Sequence, residues 1–149
     1  MASPPRRRRR GAAAIEFALW INILFVLLSG VADWGYYMNQ RVRVARATMD
    51  GARMAVSVFE PVNTTSPGSQ LVPLAVDRTK LVLGGLGVAC DADCVVDVRY
   101  CARGAGGNCK KPPFNALLVS TSVKFTPFFG WAKTPARLDE RFMMAVLNQ

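Results

Sequence analysis

The amino-acid sequence predicts an α+β protein in which one long N-terminal transmembrane and spine helix carries a small head. An apolar run near the N-terminus predicts the membrane part of the helix, and apolar residues that repeat every three or four positions predict its continuation. A period of two in the second half predicts a three- to four-stranded antiparallel sheet, which forms the head together with one short helix. We therefore divide the chain into 1–11, a basic leader peptide, 12–60, the helix, and 61–149, an extracytoplasmic head with a cysteine-bearing loop.

The leader carries much of the positive charge of the chain. The run from Arg6 to Arg10 supplies five of the nineteen basic residues, and the formal net charge is +9. Five basic residues directly before an apolar segment are typical of the cytoplasmic end of a membrane helix. We therefore expect a membrane, and no nucleic acid, as the partner of this basic run.

The apolar run from Ala12 to Ala32 is long enough to cross a bilayer. As a helix it would span about 30 Å at roughly 1.5 Å per residue, the thickness of a bilayer core. Its one charged residue is Glu16. An unpaired carboxylate is costly in a membrane, so we expect Glu16 to have a partner; the simpler alternative is that it lies at the headgroups and stays hydrated.

The helix is predicted to continue well beyond the membrane. Apolar residues follow at alternating spacings of four and three, and the first strong stop is Pro61. The glycines 30, 35 and 51 are the positions where we expect a bend. The stripe consists of Met38, Val42, Ala45, Met49, Ala52, Val56 and Phe59.

Aromatic residues mark the outer end of the apolar run. Trp34, Tyr36 and Tyr37 follow Asp33 directly. Amphipathic aromatic side chains are enriched at membrane–water interfaces, so we expect these three at the outer interface; a subunit contact is the alternative.

The head begins after a turn-rich linker, Asn63 to Gln70. Leu71 to Gly87 is rich enough in Leu and Val for a second helix, broken either at Pro73 or at the glycines 84 and 85. Residues with a period of two then predict antiparallel strands. These strand segments are Val95 to Tyr100, Leu117 to Phe125 and Arg137 to Val146.

The composition favours a structural protein over an enzyme. The chain has no histidine, which removes the commonest general base and the commonest zinc ligand, and we predict no catalytic residue, no metal and no cofactor. The cysteine spacings lack the paired C-x2-C of zinc ribbons. Asp91, Asp93 and Asp97 lack the spacing of an EF-hand and are interpreted as a solvated acidic loop.

The four cysteines, Cys90, Cys94, Cys101 and Cys109, predict two disulfides in an oxidising compartment. We prefer Cys90 with Cys94 and Cys101 with Cys109, because each pair closes a short loop between turn-forming residues. The nested alternative joins Cys94 to Cys101. In an extended run these two would be about 23 Å apart, against the roughly 7 Å that a disulfide allows.

The residues around Glu16 carry a family resemblance. Arg10 to Phe17 (RGAAAIEF) resembles the processing site of type IV pilin precursors, with a basic leader, a glycine, small apolar residues and a glutamate at the fifth mature position. RGAAAIEFAL together with GARMAVSV from Gly51 is similar to the TadE-like branch of the tight-adherence (Tad) pilus system. A weaker likeness is V-x-F-x-P at Val123 to Pro127, where Thr121 stands in place of another expected valine.

The resemblance implies a function and a set of partners. A prepilin peptidase would cut between Gly11 and Ala12, and Glu16 would pair with the amino terminus of Ala12 on a neighbouring subunit. The protein would be a minor pilin that primes or caps a Tad-type pilus or adhesion and secretion machine. Its partners would be other pilin subunits, the peptidase and the pilus assembly platform. It would lie in a bacterial inner membrane with a periplasmic head, then in the pilus or at the cell surface.

Two other functions also fit the sequence. Gly30 to Ala32 forms a small-x-small site for signal peptidase after the apolar core Phe17 to Leu28, and cleavage there would release a secreted, cystine-stabilised binding domain that starts at Asp33. Against it, Glu16 heads the apolar core, and the stripe beyond Ala32 needs a partner. The other function is an inner-membrane scaffold that never polymerises.

Overall fold

The computed structural model describes residues 9–58, 71–109, 111–130 and 132–146. It has the predicted α+β architecture, with a long N-terminal helix, a short second helix and a three-stranded antiparallel sheet. Most of the leader, Pro61 and the predicted linker lie outside the described residues. The elements are α1 (Arg9–Val58), α2 (Leu71–Gly85), β1 (Val95–Cys101), a 3₁₀ turn (Gly107–Cys109), β2 (Ala116–Lys124) and β3 (Arg137–Ala145).

The described residues belong to two compact units. The first unit contains α1 up to Tyr36 and the segment Pro127–Thr134, which connects β2 to β3 along the chain. The second unit contains Tyr37–Thr126 and the chain from Pro135 onward, and therefore holds α2 and the whole sheet.

Helix α1 extends without interruption from Arg9, three residues before the predicted start, to Val58. The sequence between these residues contains no proline and is rich in Ala, Leu, Met and Arg, all strong helix formers. The helix is continuous through Gly30, Gly35 and Gly51, where bends were expected.

Within the second unit, α1 buries a face made largely of small side chains. This face is displaced from the stripe that the spacing predicted, since Met38 is 47% exposed and Val42 is 50% exposed. Periodicity gives most weight to large apolar residues, whereas the packed face consists mainly of alanine, glycine and threonine. Its residues are Tyr37, Val44, Ala47, Thr48, Gly51, Ala52 and Ala55.

The small residues allow α2 to approach α1 closely. A Cβ added at Gly51 would overlap Thr79 Oγ1 and lie 3.2 Å from Thr79 Cβ. Ala52 and Ala55 of α1 pack in one buried cluster with Ala75 of α2. The Thr79 hydroxyl donates to the Ala75 carbonyl at 2.8 Å, so its buried polar group is satisfied within α2.

A left-handed glycine cap ends α2 two residues short of its predicted end. Gly87 has a φ of 72°, and its N–H donates to the Gly84 carbonyl at 3.0 Å. The N–H of Val88 donates to the Leu83 carbonyl at 2.9 Å, which completes a Schellman motif. Val88 and Leu83 are both buried in one core cluster, the apolar contact that accompanies this cap.

The sheet is an antiparallel meander with β2 in the centre. The register places Val98 opposite Val119, and Val119 opposite Phe142. Because β2 is flanked on both sides, its backbone groups are paired and its side chains supply most of the sheet's core. Leu117 and Val119 pack with Ala52 and other residues of the helices.

The opposite face of the sheet is covered locally by a disulfide. Ala116 and Leu118 pack there with Cys101, which is fully buried, and with Cys109 and Met143. The bridge therefore supplies apolar cover for the end of β2 that has no helix on this side.

One buried hydrogen bond ties the sheet to α1. The hydroxyl groups of Thr48 and Thr121 lie 2.8 Å apart, and Thr48 Oγ1 also bonds to the Val44 carbonyl at 2.8 Å. Both threonines are almost completely buried. A valine at 121 would fit the strand pattern, but it would leave Thr48 without this partner.

A solvent-exposed ion pair makes a second link between α1 and the sheet. Arg41 Nε lies 2.5 Å from Glu140 Oε1 on β3. The hydrogen bond to Glu140 and the charge of its carboxylate raise the pKa of Arg41 above its ordinary value. Because the Arg41 side chain is half exposed, we expect this ion pair to help orient β3 against α1 and to add little to the stability of the fold.

We predict that Gly51→Ala destabilises the second unit. Overpacking a filled core costs about 1–3 kcal/mol, which outweighs the roughly 1 kcal/mol that alanine gains over glycine inside a helix. Chemical denaturation of the detergent-solubilised protein measures the change. Adding Thr79→Ala, which removes the overlapping hydroxyl, should restore part of the loss.

Gly84→Ala is the matched control. It makes the same change inside α2, where no atom lies within 4 Å of the added Cβ. This variant should be as stable as the parent or up to about 1 kcal/mol more stable. Stabilisation by Gly51→Ala of the same size as by Gly84→Ala would contradict the close helix contact.

Candidate functional site

The first half of α1 presents apolar side chains in every direction. All side chains from Ala13 to Leu28 are exposed, including Trp20 at 70%. The stretch within Ala13–Ser57 is the one described helix long and apolar enough to cross a membrane, although a signal sequence has the same character. A helix that is apolar all round needs an apolar environment that the rest of the described chain does not provide.

Two polar residues of this stretch each donate a hydrogen bond within the helix itself. The Asn22 amide donates to the Ala18 carbonyl at 2.9 Å, and the Ser29 hydroxyl donates to the Val26 carbonyl at 2.8 Å. Such bonds to the preceding turn make polar side chains tolerable in lipid.

Glu16 differs from these two residues. Its side chain is exposed, and the described part of the chain contains no hydrogen bond or ion pair to it. The carboxylate therefore remains available to a group outside the described chain. The predicted cleavage position, Gly11 and Ala12, lies in the first turn of α1, one helical turn before Glu16.

Near the C-terminal end of the apolar run, one face of α1 contacts the segment Pro127–Thr134. Phe25, Ser29 and Asp33 follow each other at spacings of four and so share one face. Ser29 is 3% exposed and Asp33 is completely buried. The N–H of Phe129 donates to Asp33 Oδ1 at 2.8 Å, and the Phe129 ring meets Phe25 edge-on at 6.5 Å between centroids.

The three predicted interface aromatics have different surroundings. Trp34 and Tyr36 are 45% and 42% exposed, so the membrane-interface role stays a prediction for them. Tyr37 is instead buried in the core of the second unit, where its ring meets Phe125 edge-on at 5.3 Å. Tyr37 therefore contributes to the core of the second unit.

The structure joins Cys90 to Cys94 and Cys101 to Cys109, the pairing preferred from the sequence. The bridged α-carbons are 4.9 and 5.6 Å apart. Closing loops this short stabilises a fold by about 2–3 kcal/mol per bond in the chain-entropy model.

Two of the three acidic residues near these loops, Asp93 and Asp97, form ion pairs with basic side chains. Asp93 lies 3.4 Å from Lys124 Nζ, and Asp97 lies 2.5 Å from Arg99 Nε. No group of three or more potential metal ligands occurs among the described residues.

The comparison with protein families concerns the N-terminal helix. Residues 11–53 match the model of the TadE-like protein family. This segment is TadE-like. The match begins at Gly11, lies entirely within α1, and confirms the resemblance inferred from Arg10 to Phe17. It covers under a third of the chain, and neither curated proteins nor solved structures gave a match.

Sequence reasoning missed the segment Pro127–Thr134 and its contact with Asp33. A signal was present, because Pro127 to Gly130 (PFFG) is apolar and uncharged although it connects two strands. Connections between strands are normally polar, so an apolar connection indicates another contact. Its distance of about a hundred residues from α1 in the sequence concealed the partner.

We predict that digestion without reduction keeps the two bridges in separate peptides. Cleavage after Arg99 should leave Cys90 and Cys94 internally bonded in one peptide, while Cys101 remains bonded to Cys109. Mass spectrometry before and after reduction measures this. A disulfide-linked pair of peptides from either side of Arg99 would refute the pairing, as would four free thiols in protein recovered outside the cytoplasm.

Proposed function

We propose that this protein is a minor pilin of a Tad-type pilus, anchored by α1 in the bacterial inner membrane with its second unit in the periplasm. The observation that carries the proposal is the TadE-like match, which starts at Gly11 and includes the all-round apolar part of α1. A structural role agrees with the composition, since the chain has no histidine. In this role α1 leaves lipid for a bundle of helices from other pilin subunits.

For assembly, the free energy of α1 must be lower in a bundle of helices than in lipid. Apolar side chains gain little from the exchange, because lipid tails are as apolar as leucine. A carboxylate gains much, because a buried anion is tolerated only beside a cation. Glu16 is exposed and supplies that carboxylate. Cleavage after Gly11 would supply the cation, the amino terminus of Ala12.

Pairing between subunits would fix the register of assembly. Glu16 follows Ala12 by four residues, so both lie on one face of α1, and the amine of a neighbouring helix can reach the carboxylate at one axial register. The pair would therefore select how far each subunit enters the bundle. By size, the chain would prime or cap the fibre, since the family resemblance implies a very short main subunit.

The exposed stripe beyond the membrane segment supports the same role. Met38 and Val42 remain about half exposed in the second unit, on a different face of α1 from the one packed on α2. Apolar side chains at positions i and i+4 form a continuous ridge, and a ridge of this kind fits the groove of a second helix. In the proposed assembly, the contact between α1 and the helices of other subunits therefore extends past the bilayer.

The secreted alternative is less well supported. Cleavage after Ala32 would divide the matched segment, 11–53, near its middle. The core of the second unit does remove one objection to secretion, since the helix beyond Ala32 finds its packing partners within the chain. N-terminal sequencing of the mature protein separates the two, because the pilin starts at Ala12 and the secreted domain at Asp33.

Gly11→Val should block processing. The peptidase must accept a residue without a side chain before the cut, so the uncut precursor should accumulate in the membrane. Mass spectrometry of membrane fractions detects the retained leader. Ala13→Val, the equivalent enlargement beyond the cut, should still be processed, and normal maturation of Gly11→Val would disprove the cleavage site.

Glu16→Ala should impair assembly without impairing insertion or processing. Removing one partner of a buried ion pair costs about 3–5 kcal/mol, enough to reduce co-purification with partner pilins at least tenfold. Glu16→Gln should show the same defect, because it keeps the shape and loses the charge. Asn22→Ala is the control, since Asn22 is an uncharged polar residue that donates a hydrogen bond within its own helix. Unchanged assembly of both Glu16 variants would favour a hydrated carboxylate without a partner.

A further inference from the structure

The segment that connects β2 to β3 contains an exposed apolar tip. Pro127 to Gly130 consists of a proline, two phenylalanines and a glycine. Phe128 is 76% exposed, the largest exposed fraction of any large apolar side chain in the described residues, and Phe129 is 42% exposed. The two rings pack edge-on at 4.9 Å, so they form one apolar surface.

This tip is held against α1 by two contacts within the first unit. The N–H of Phe129 donates to Asp33 Oδ1 at 2.8 Å, and its ring meets Phe25. Gly130 turns the chain with a φ of 72°, a conformation that a residue with a side chain adopts only with strain. The position of the tip along α1 is therefore fixed between Phe25 and Asp33.

That position has a definite depth if α1 crosses a membrane. The apolar run ends at Ala32, and Phe25 precedes it by seven residues, or about 10 Å at 1.5 Å per residue. The bilayer core is about 30 Å thick, so Phe25 lies inside the outer leaflet and the ring of Phe129 lies beside it.

Part of the tip's backbone suits a low-polarity environment. Pro127 has no N–H to satisfy, and the N–H of Phe129 is bonded to a carboxylate that is itself completely buried. Lys133, close to the tip in the sequence, is exposed. Its long side chain can place its charge among the lipid headgroups while the tip lies just below them.

We propose that Pro127 to Gly130 inserts into the outer leaflet beside α1, with Phe128 in contact with lipid acyl chains. The proposal rests on the membrane-spanning role of α1 proposed above. It gives the protein a second membrane contact, formed by a loop whose depth is set by the Asp33 hydrogen bond. The bilayer is the occupant of the exposed aromatic surface before the protein joins any bundle.

Spin-label accessibility in vesicles tests the proposal. The full chain carrying Phe128→Cys is labelled with a nitroxide and reconstituted at low protein density in phosphatidylcholine vesicles. Collisions with oxygen, which concentrates in lipid, are compared with collisions with a water-soluble nickel complex. The oxygen-to-nickel ratio should be several-fold higher for Phe128→Cys than for an aqueous control.

Two exposed positions supply the reference values. Ile23→Cys, on the apolar stretch of α1 and 51% exposed, reports the lipid value; Phe114→Cys, in the second unit and 45% exposed, reports the aqueous value. Mass mapping without reduction verifies that both native disulfides persist in each variant. Phe128→Cys should resemble Ile23→Cys.

The failures can be told apart. An aqueous ratio at position 128 with a lipid ratio at position 23 overturns the loop insertion and leaves the anchor intact. An aqueous ratio at both positions overturns the membrane-spanning role as well. A label at position 128 shielded from both reagents overturns lipid contact in favour of a protein occupant, such as a second copy of the chain.

A second measurement tests the depth-setting bond. Asp33→Asn retains an oxygen acceptor for the Phe129 N–H, whereas Asp33→Ala removes it. In the Phe128→Cys background, Asp33→Ala should lower the oxygen-to-nickel ratio several-fold, and Asp33→Asn should retain most of it. Equal ratios in both variants would show that the hydrogen bond does not hold the loop at its depth.

Discussion

One continuous helix has to satisfy two different surroundings, and the composition of α1 changes along its length to meet that constraint. Its backbone is hydrogen-bonded internally where the surroundings change, so no break is needed there. Only the side chains have to differ. From Ala13 to Leu28 they are mostly apolar and exposed on all sides; in the second unit, small residues dominate the buried face.

The small residues are what allow a short chain to build a core around such a helix. Gly51 and Ala52 bring the axis of α2 close, and the sheet then covers the helices with Leu117 and Val119. Larger side chains on α1 would bury more apolar area per residue but would hold α2 away. The two disulfides compensate for the limited core, since one of them covers the open side of β2.

Much of this fold could be predicted because the strands, α2 and the disulfide loops are local features. The period of two in Val95 to Tyr100 and the short cysteine loops depend only on neighbouring residues. The buried face of α1 could not be predicted in this way, because Gly51 has no apolar side chain to register in a periodicity, yet it makes the closest contact.

Of the two carboxylates in the candidate site, the sequence indicated a role for Glu16 but not the contact of Asp33, and the reason is physical. Asp33 is completely buried and accepts a hydrogen bond from Phe129, so the chain itself satisfies it, and only the folded structure reveals that partner. Glu16 is exposed in the apolar part of the same helix, and the described residues give it no partner. A carboxylate already satisfied within the chain gains little from a second subunit, whereas an unsatisfied one in lipid gains the full difference between an isolated and a paired charge. In the proposed assembly, Glu16 therefore determines how neighbouring subunits pair, whereas Asp33 stabilises the fold of a single subunit.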